Sequence, residues 1–272
     1  MFFLKINNFS DYRLNGILSE PAHYAVIMLP AVYYFFKKRM YLKLFIVLFT
    51  IVLSKSSIGY VGLVLILIIP LLKEKYFIKY SWIVIVTLLG IIFFITKEWN
   101  SKIDENKGNQ LVRRLKETGK SLNAIHTGGF EKYTNLSSYA FLSNGFITQK
   151  SFLNYPLGAG LGGYQYMYDM YYPLLNPPAY LKQLKLAKIN RTDANSLFLR
   201  MVTELGIFAF FFLIYFSYRS IKLFKKDNKT YQQSTFFYLI LKLIREGHYF
   251  PPEFYFFLII FLNQEDEHIT HS

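Results

Sequence analysis

Apolar positions in this chain come in blocks rather than in the alternation of a half-buried strand. Residues 22–36 are apolar and end at Lys37, Lys38 and Arg39. Residues 41–72 are apolar except for Lys43 and the patch Ser54-Lys55-Ser56-Ser57, and Lys73, Glu74, Lys75 and Lys79 follow them. Residues 80–96 are apolar again, a polar stretch runs to about residue 193, and the apolar run 197–218 ends at Arg219, Lys222, Lys225 and Lys226. Two shorter apolar runs, 236–244 and 254–262, close the chain. Long uncharged blocks predict helices that cross a bilayer, because lipid offers the backbone no hydrogen-bond partners and only complete helices or closed barrels tolerate that. Residues 41–72 as one helix would run about 48 Å at 1.5 Å per residue, well over a hydrocarbon core of ~30 Å. Two short helices folded at Ser54–Ser57, full spans or a re-entrant hairpin, fit better.

The expected fold class is all-α: a polytopic helical membrane protein with about five to seven membrane segments and one large external loop. Lys and Arg at the ends of the apolar runs set the orientation, since short basic loops stay in the cytoplasm. The expected organisation is an external segment 1–21, membrane helices 22–96, a large external loop 97–193 and a membrane helix 194–218. A cytoplasmic basic segment 219–235, a short membrane hairpin or broken helix 236–262 and a polar tail 263–272 complete it.

Composition sharpens this reading. Of 272 residues, 53% are hydrophobic and the formal net charge is +14. Much of that charge flanks apolar runs, so a lipid bilayer rather than nucleic acid is the expected partner. No cysteine is present, which excludes disulfides and thiolate chemistry, and the five histidines show no metal-ligand spacing. No cofactor is expected. No cleavable signal peptide is evident, so the first apolar run would serve as a signal-anchor.

Several residues could carry chemistry. Arg13 and Glu20 stand just before the first apolar run and would share a face if the segment were helical; the plainer reading is an Arg reaching headgroups and a Glu near a helix start. Lys55, among hydroxyls, could meet a phosphate, or simply belong to a polar turn. The run Tyr155-Pro156-Leu157-Gly158-Ala159-Gly160-Leu161-Gly162-Gly163-Tyr164 contains G-x-G-x-x-G but lacks the strand–turn–helix context of a dinucleotide site. Gly158 and Gly160 are then expected in a loop whose bare amides approach an anion. Tyr164 and Tyr166 open a cluster of tyrosines suited to stacking on sugars or to an interfacial belt. Arg113, Arg114 and Arg191 give the loop a basic character that suits a diphosphate, or a solvated face. Asn195 leads into the run that holds Glu204, and an ionisable residue at that depth of a membrane helix is a functional candidate.

These segments, taken in order, resemble a family. Arg-x-x-Gly-x-x-x-Glu-Pro before an apolar run, a Ser-rich break between two short helices, Asn154-Tyr155-Pro156-Leu157-Gly158-Ala159-Gly160-Leu161-Gly162, and Asn195 leading into Glu204-Leu205-Gly206-Ile207 are similar to the O-antigen polymerase and O-antigen ligase superfamily, over about residues 10–220. The resemblance implies a bacterial inner-membrane protein with its active face in the periplasm. It implies polymerisation of undecaprenyl diphosphate-linked oligosaccharide repeat units into a surface polysaccharide, such as O-antigen, capsule or exopolysaccharide. A flippase and a chain-length regulator are the implied protein partners. It implies that Arg13, which matches the arginine before the Gly-x-x-x-Glu-Pro motif, and a loop arginine, Arg113 or Arg114, hold the diphosphate. Together with the residue readings above, Arg13, Glu20 and Glu204 are the expected catalytic residues, and Arg113, Arg114, Arg191, Lys55, Gly158, Gly160, Tyr164, Tyr166 and Asn195 the expected substrate-binding residues. Ala194 stands where ligases of this family carry a His, which favours a polymerase over a ligase. A transporter or flippase of lipid-linked sugar and an inactive, truncated polymerase are the alternatives.

Overall fold

The computed structural model describes residues 4–6, 12–16, 18, 20–69, 121–132, 134–226, 228–249 and 251–263. The elements in chain order are strands β1 (Leu4–Ile6) and β2 (Tyr12–Leu14), then helices α1 (Pro21–Lys37), α2 (Tyr41–Ser54), α3 (Ser57–Ile68), α4 (Ala124–Thr127) and α5 (Leu136–Asn154). There follow α6 (Tyr164–Tyr171), α7 (Ala179–Gln183), α8 (Leu197–Leu205), α9 (Phe208–Phe224), α10 (Thr230–Arg245) and α11 (Pro252–Leu262). The chain divides into two compact units, one of residues 1–80, 214–245 and 249–272, the other of 81–213 and 246–248.

In the first unit the strands pair antiparallel, with Lys5 opposite Arg13. Helix α1 starts at Pro21, whose missing N–H costs nothing at a first helical position. It ends at the basic run, where Arg39 takes a left-handed φ of 56°. Helices α2 and α3 break at the expected Ser54–Ser57 patch: Lys55 adopts a left-handed conformation, and the Ser56 hydroxyl accepts from Gly59 N at 3.3 Å as an N-cap. The core gathers Leu29 and Tyr33 of α1, Ile66 of α3, Phe237 and Leu241 of α10 and Phe261 of α11. Tyr33 Oη donates to Gln233 Oε1 at 2.8 Å, and the ammonium of buried Lys242 lies over the rings of Tyr238 and Phe254. The outer faces remain apolar as well: Phe45 is 67% exposed, and Leu42, Ile46 and Phe49 of α2 point outward beside it.

In the second unit α5 is the central helix. Asn135 caps it by accepting from Ser138 N at 2.9 Å, and it packs on α4, α6 and α8. The stretch 121–193, expected as part of a polar external loop, thus contains helices of its own around a core of Phe146, Ile147, Tyr164 and Tyr168.

The expectation of a polytopic membrane protein with about five to seven crossing segments is overturned: among the described residues no helix is long and apolar enough to cross a membrane. The multi-pass inner-membrane location falls on the same finding, because it requires repeated crossings. The reason is local. A span needs about 20 consecutive apolar helical residues. The apolar runs are instead cut into helices of 17, 14, 12 and 11 residues by the left-handed residues at Arg39 and Lys55 and by Pro251. Gly206 cuts the 197–218 run between α8 and α9. Helix α5 has 19 residues, but it carries Ser138, Ser143, Asn144, Thr148 and Ser151 on its buried side. The expected span 80–96 lies outside the described residues.

Candidate functional site

Helix α8 organises the second unit. Its N-cap, Ser196, accepts from Leu199 N at 3.3 Å, and its C-terminus is closed from outside. A helix leaves its last carbonyls without intrahelical partners. Here the glycine run supplies them: Ala159 N donates to Thr203 O and Gly160 N to Glu204 O, both at 2.9 Å, while Ile207 N donates to Pro156 O at 2.8 Å. Glycine is needed on both sides of this seam. A Cβ on Gly158 would lie 2.3 Å from the Glu204 carbonyl oxygen, and one on Gly206 would lie 2.1 Å from the Pro156 carbonyl oxygen. The bare backbone of Gly158 therefore admits another backbone rather than an anion. The expectation that the Gly158 and Gly160 amides approach an anion is corrected, because Gly158 N bonds Tyr155 O and Gly160 N bonds Glu204 O of α8.

The Glu204 side chain is 1% exposed. Its Oε1 accepts from Tyr164 N at 3.3 Å and from Arg200 Nε at 3.0 Å. Tyr164 begins α6, so the carboxylate sits at the positive end of that helix. Oε2 is buried without a hydrogen-bond partner among the described residues. Arg200 also donates from Nη1 to Gly247 O at 3.0 Å. A polar layer continues from there. Tyr164 Oη donates to Asn144 Oδ1, and Thr203 Oγ1 pairs with Thr148 Oγ1 at 3.1 Å. Burial, and secondarily the neighbouring Tyr168, push the Tyr164 hydroxyl well above its ordinary pKa, so it stays a donor.

The remaining predicted residues divide. Asn195 is buried just before α8, in a left-handed conformation (φ 56°), and its Nδ2 has no partner among the described residues. Tyr166 is 65% exposed and can meet a ligand, whereas Tyr164 is fully enclosed and cannot stack on a sugar. Arg191 is already engaged: Nε donates to Asp169 Oδ1 at 2.7 Å and Nη2 to Oδ2. That fork, first through its hydrogen bond, holds the Asp169 carboxyl below its ordinary pKa.

Arg13, Glu20 and Lys55 belong to the first unit. Arg13 lies on β2, and Glu20 is the exposed residue before α1, so the shared helical face does not exist. Lys55 closes α2 through its backbone N, which donates to Val52 O at 3.0 Å. Arg113 and Arg114 lie outside the described residues. The structure thus joins Gly158, Gly160, Tyr164 and Glu204 in one assembly, with Asn195 at the foot of α8.

Sequence reasoning missed Arg200, Asn144 and Thr148. The i,i+4 spacing of Arg200 and Glu204 was a legible signal; nothing in the local sequence marked the other two. Among the described residues, no group of three or more His, Asp or Glu is placed to hold a metal ion. Comparison with protein families, with curated proteins and with solved structures finds no match to this chain.

Proposed function

We propose that the chain extends a glycan from diphosphate-linked saccharides, with the assembly of residues 155–206 shaping the saccharide site. One observation supports this reading. The two segments that carry the resemblance in the second unit, Asn154–Gly162 and Asn195–Ile207, lie some forty residues apart in sequence, yet they interlock through three backbone hydrogen bonds and the Tyr164–Glu204 contact. In the proposed reaction an acceptor hydroxyl attacks the anomeric carbon of the donor. The bond to the diphosphate oxygen breaks, the lipid diphosphate leaves with the electron pair, and the acceptor proton passes to the departing diphosphate.

Glu204 is a positioning residue in this scheme. It holds the first amide of α6 and the guanidinium of Arg200, and so sets the direction in which α6 presents Tyr166. The exposed rings of Tyr155 and Tyr166, at the two ends of the glycine run, are the proposed saccharide contacts. Tyrosine suits this role, with an apolar face for the ring of a sugar and a hydroxyl for its polar edge.

The test is transfer from a synthetic lipid-diphosphate saccharide, followed by product length on a gel. Tyr155→Ala and Tyr166→Ala are each expected to shorten the product and lower its yield; both side chains are exposed, so protein levels should hold. Unchanged product from the double variant, or no transfer by the unaltered chain, would sink the proposal. A second reading is favoured by the enclosure of Glu204, namely a module that binds saccharide without transferring it. Saccharide binding that depends on Tyr155 and Tyr166, with no transfer, selects that reading.

A further inference from the structure

The first unit holds a concavity of about 140 Å³ lined by Arg219, Lys222, Lys226, Lys229, Leu223 and Asn263. Four of these six are cations and none is an acid. The sequence explains the convergence. Arg219, Lys222 and Lys226 recur at spacings of three and four, which place them on one face of α9 and its C-terminal turn. Lys229 arrives from the start of α10, where its carbonyl accepts from Gln233 N at 2.8 Å.

The corner is rigidly built. Gln233 Nε2 donates to Leu223 O at 2.9 Å and to Lys226 O at 2.5 Å, tying the end of α9 to the first turn of α10. Arg219 is anchored by Nε to Phe261 O at 3.0 Å and by Nη2 to Asn263 O at 3.1 Å, with its guanidinium carbon 5.7 Å from the centre of the Phe261 ring. Among the described residues those bonds use one edge of the fork and leave Nη1. Lys229 is only 3% exposed, whereas Lys222 and Lys226 are open to solvent. Like charges drawn onto one concave wall repel. A multiply charged anion at the exposed Lys222 and Lys226 relieves that repulsion.

We propose that this pocket binds a phosphate-bearing group, held by Nη1 of Arg219 and point charges from Lys222, Lys226 and Lys229. The guanidinium nitrogen donates to a phosphate oxygen, and the lysines neutralise the remaining charge. The positive end of the sixteen-residue α10 adds to the same field. The group could reach the pocket as a free phosphate or diphosphate, or as a lipid headgroup. The inference does not depend on the proposed glycan activity, which rests on the other unit.

The experiment titrates the purified chain with inorganic pyrophosphate by calorimetry. In parallel it measures flotation of the chain with vesicles of phosphatidylcholine alone or with added phosphatidylglycerol. Saturable pyrophosphate binding supports a soluble ligand, and capture that requires phosphatidylglycerol supports a headgroup. Either must weaken about tenfold or more for each of Lys222→Ala and Lys226→Ala, two exposed positions whose loss leaves the fold intact, and must survive in Lys222→Arg. Because Glu265, Asp266 and Glu267 follow Asn263 in sequence, the probes are repeated on an E265Q/D266N/E267Q chain. Binding seen only there supports the pocket with an internal competitor. No binding in either chain overturns the proposal, as does binding unchanged by the lysine variants or capture equal on both kinds of vesicle.

Discussion

Helices α1 and α5 have similar lengths, 17 and 19 residues, and each buries one side within its own unit. Their buried sides differ in kind. Helix α1 buries Ala25, Val26, Leu29, Val32 and Tyr33, against Phe237 and Leu241. Helix α5 buries Ser143, Asn144, Thr148 and Ser151 among its apolar residues; Asn144 meets Tyr164, and Thr148 meets Thr203. Apolar contact is non-directional and scales with area, so α1 is held mainly by what it hides from water. Hydrogen bonds in a dry interior are directional and costly to leave unmade, so α5 is held in one orientation. A site that must present a tyrosine or a carboxylate at a set angle gains from the second kind of core.

The sharpest way to break this comparison is to add one carbon in each unit. Gly158→Ala or Gly206→Ala drives a Cβ into a carbonyl oxygen across the seam. Neither backbone can yield without losing the hydrogen bonds between the glycine run and α8, and the positive φ values of 92° and 58° add strain. The expected cost exceeds about 4 kcal/mol, read as loss of the folded second unit in urea melts. Gly62→Ala in the first unit meets first the terminal methyl carbons of Leu29 and Leu241. Those can rotate, so about 1–3 kcal/mol is expected. Equal effects at Gly62 and Gly158 would remove the distinction between the two cores.

Next in size is Glu204→Ala. It removes the acceptor for Tyr164 N and leaves the Arg200 guanidinium, whose side chain is 16% exposed, without its carboxylate. Stability should fall by about 3 kcal/mol, and α6 should lose amide protection in hydrogen exchange while α1 keeps its own. A smaller change is Tyr164→Phe, which leaves Asn144 Oδ1 without its donor in a dry site. About 1–3 kcal/mol is expected from chemical denaturation, and no change there would mean that water replaces the hydroxyl.

The smallest effect belongs to the exposed Asp169–Arg191 fork. Asp169 has a lowered pKa in the folded chain. Its contribution is therefore present above the unfolded carboxylate value of about 3.9 and is lost as pH falls through the lower folded value. Asp169→Asn should flatten the acid side of the stability profile slightly and leave neutral pH nearly unchanged. High salt should erase the difference, since exposed pairs are screened.

Much of the helical content was legible in the sequence. Pro21 at the start of α1, the basic stop at Lys37–Arg39 and the break at Ser54–Ser57 each act through the backbone of a few adjacent residues. The same blocks misled on length, because hydropathy reports what a residue prefers to touch and not whether its helix continues past Lys55 or Gly206. At the candidate site, the sequence placed Glu204 in a helix after Asn195 and marked the glycine run as special, both from local composition.

Only the tertiary structure decided what the special residues are for. That Gly158 answers to Gly206, and Tyr164 to Glu204 and Asn144, depends on pairings forty, twenty and more residues apart. The same holds for Arg191, which the sequence offers as a free charge and the fold engages with Asp169. The physical reason is common to these cases. A residue's type and neighbours set the hydrogen bonds it can make, whereas which partner it meets is set by the packing of helices whose contacts the local sequence does not encode.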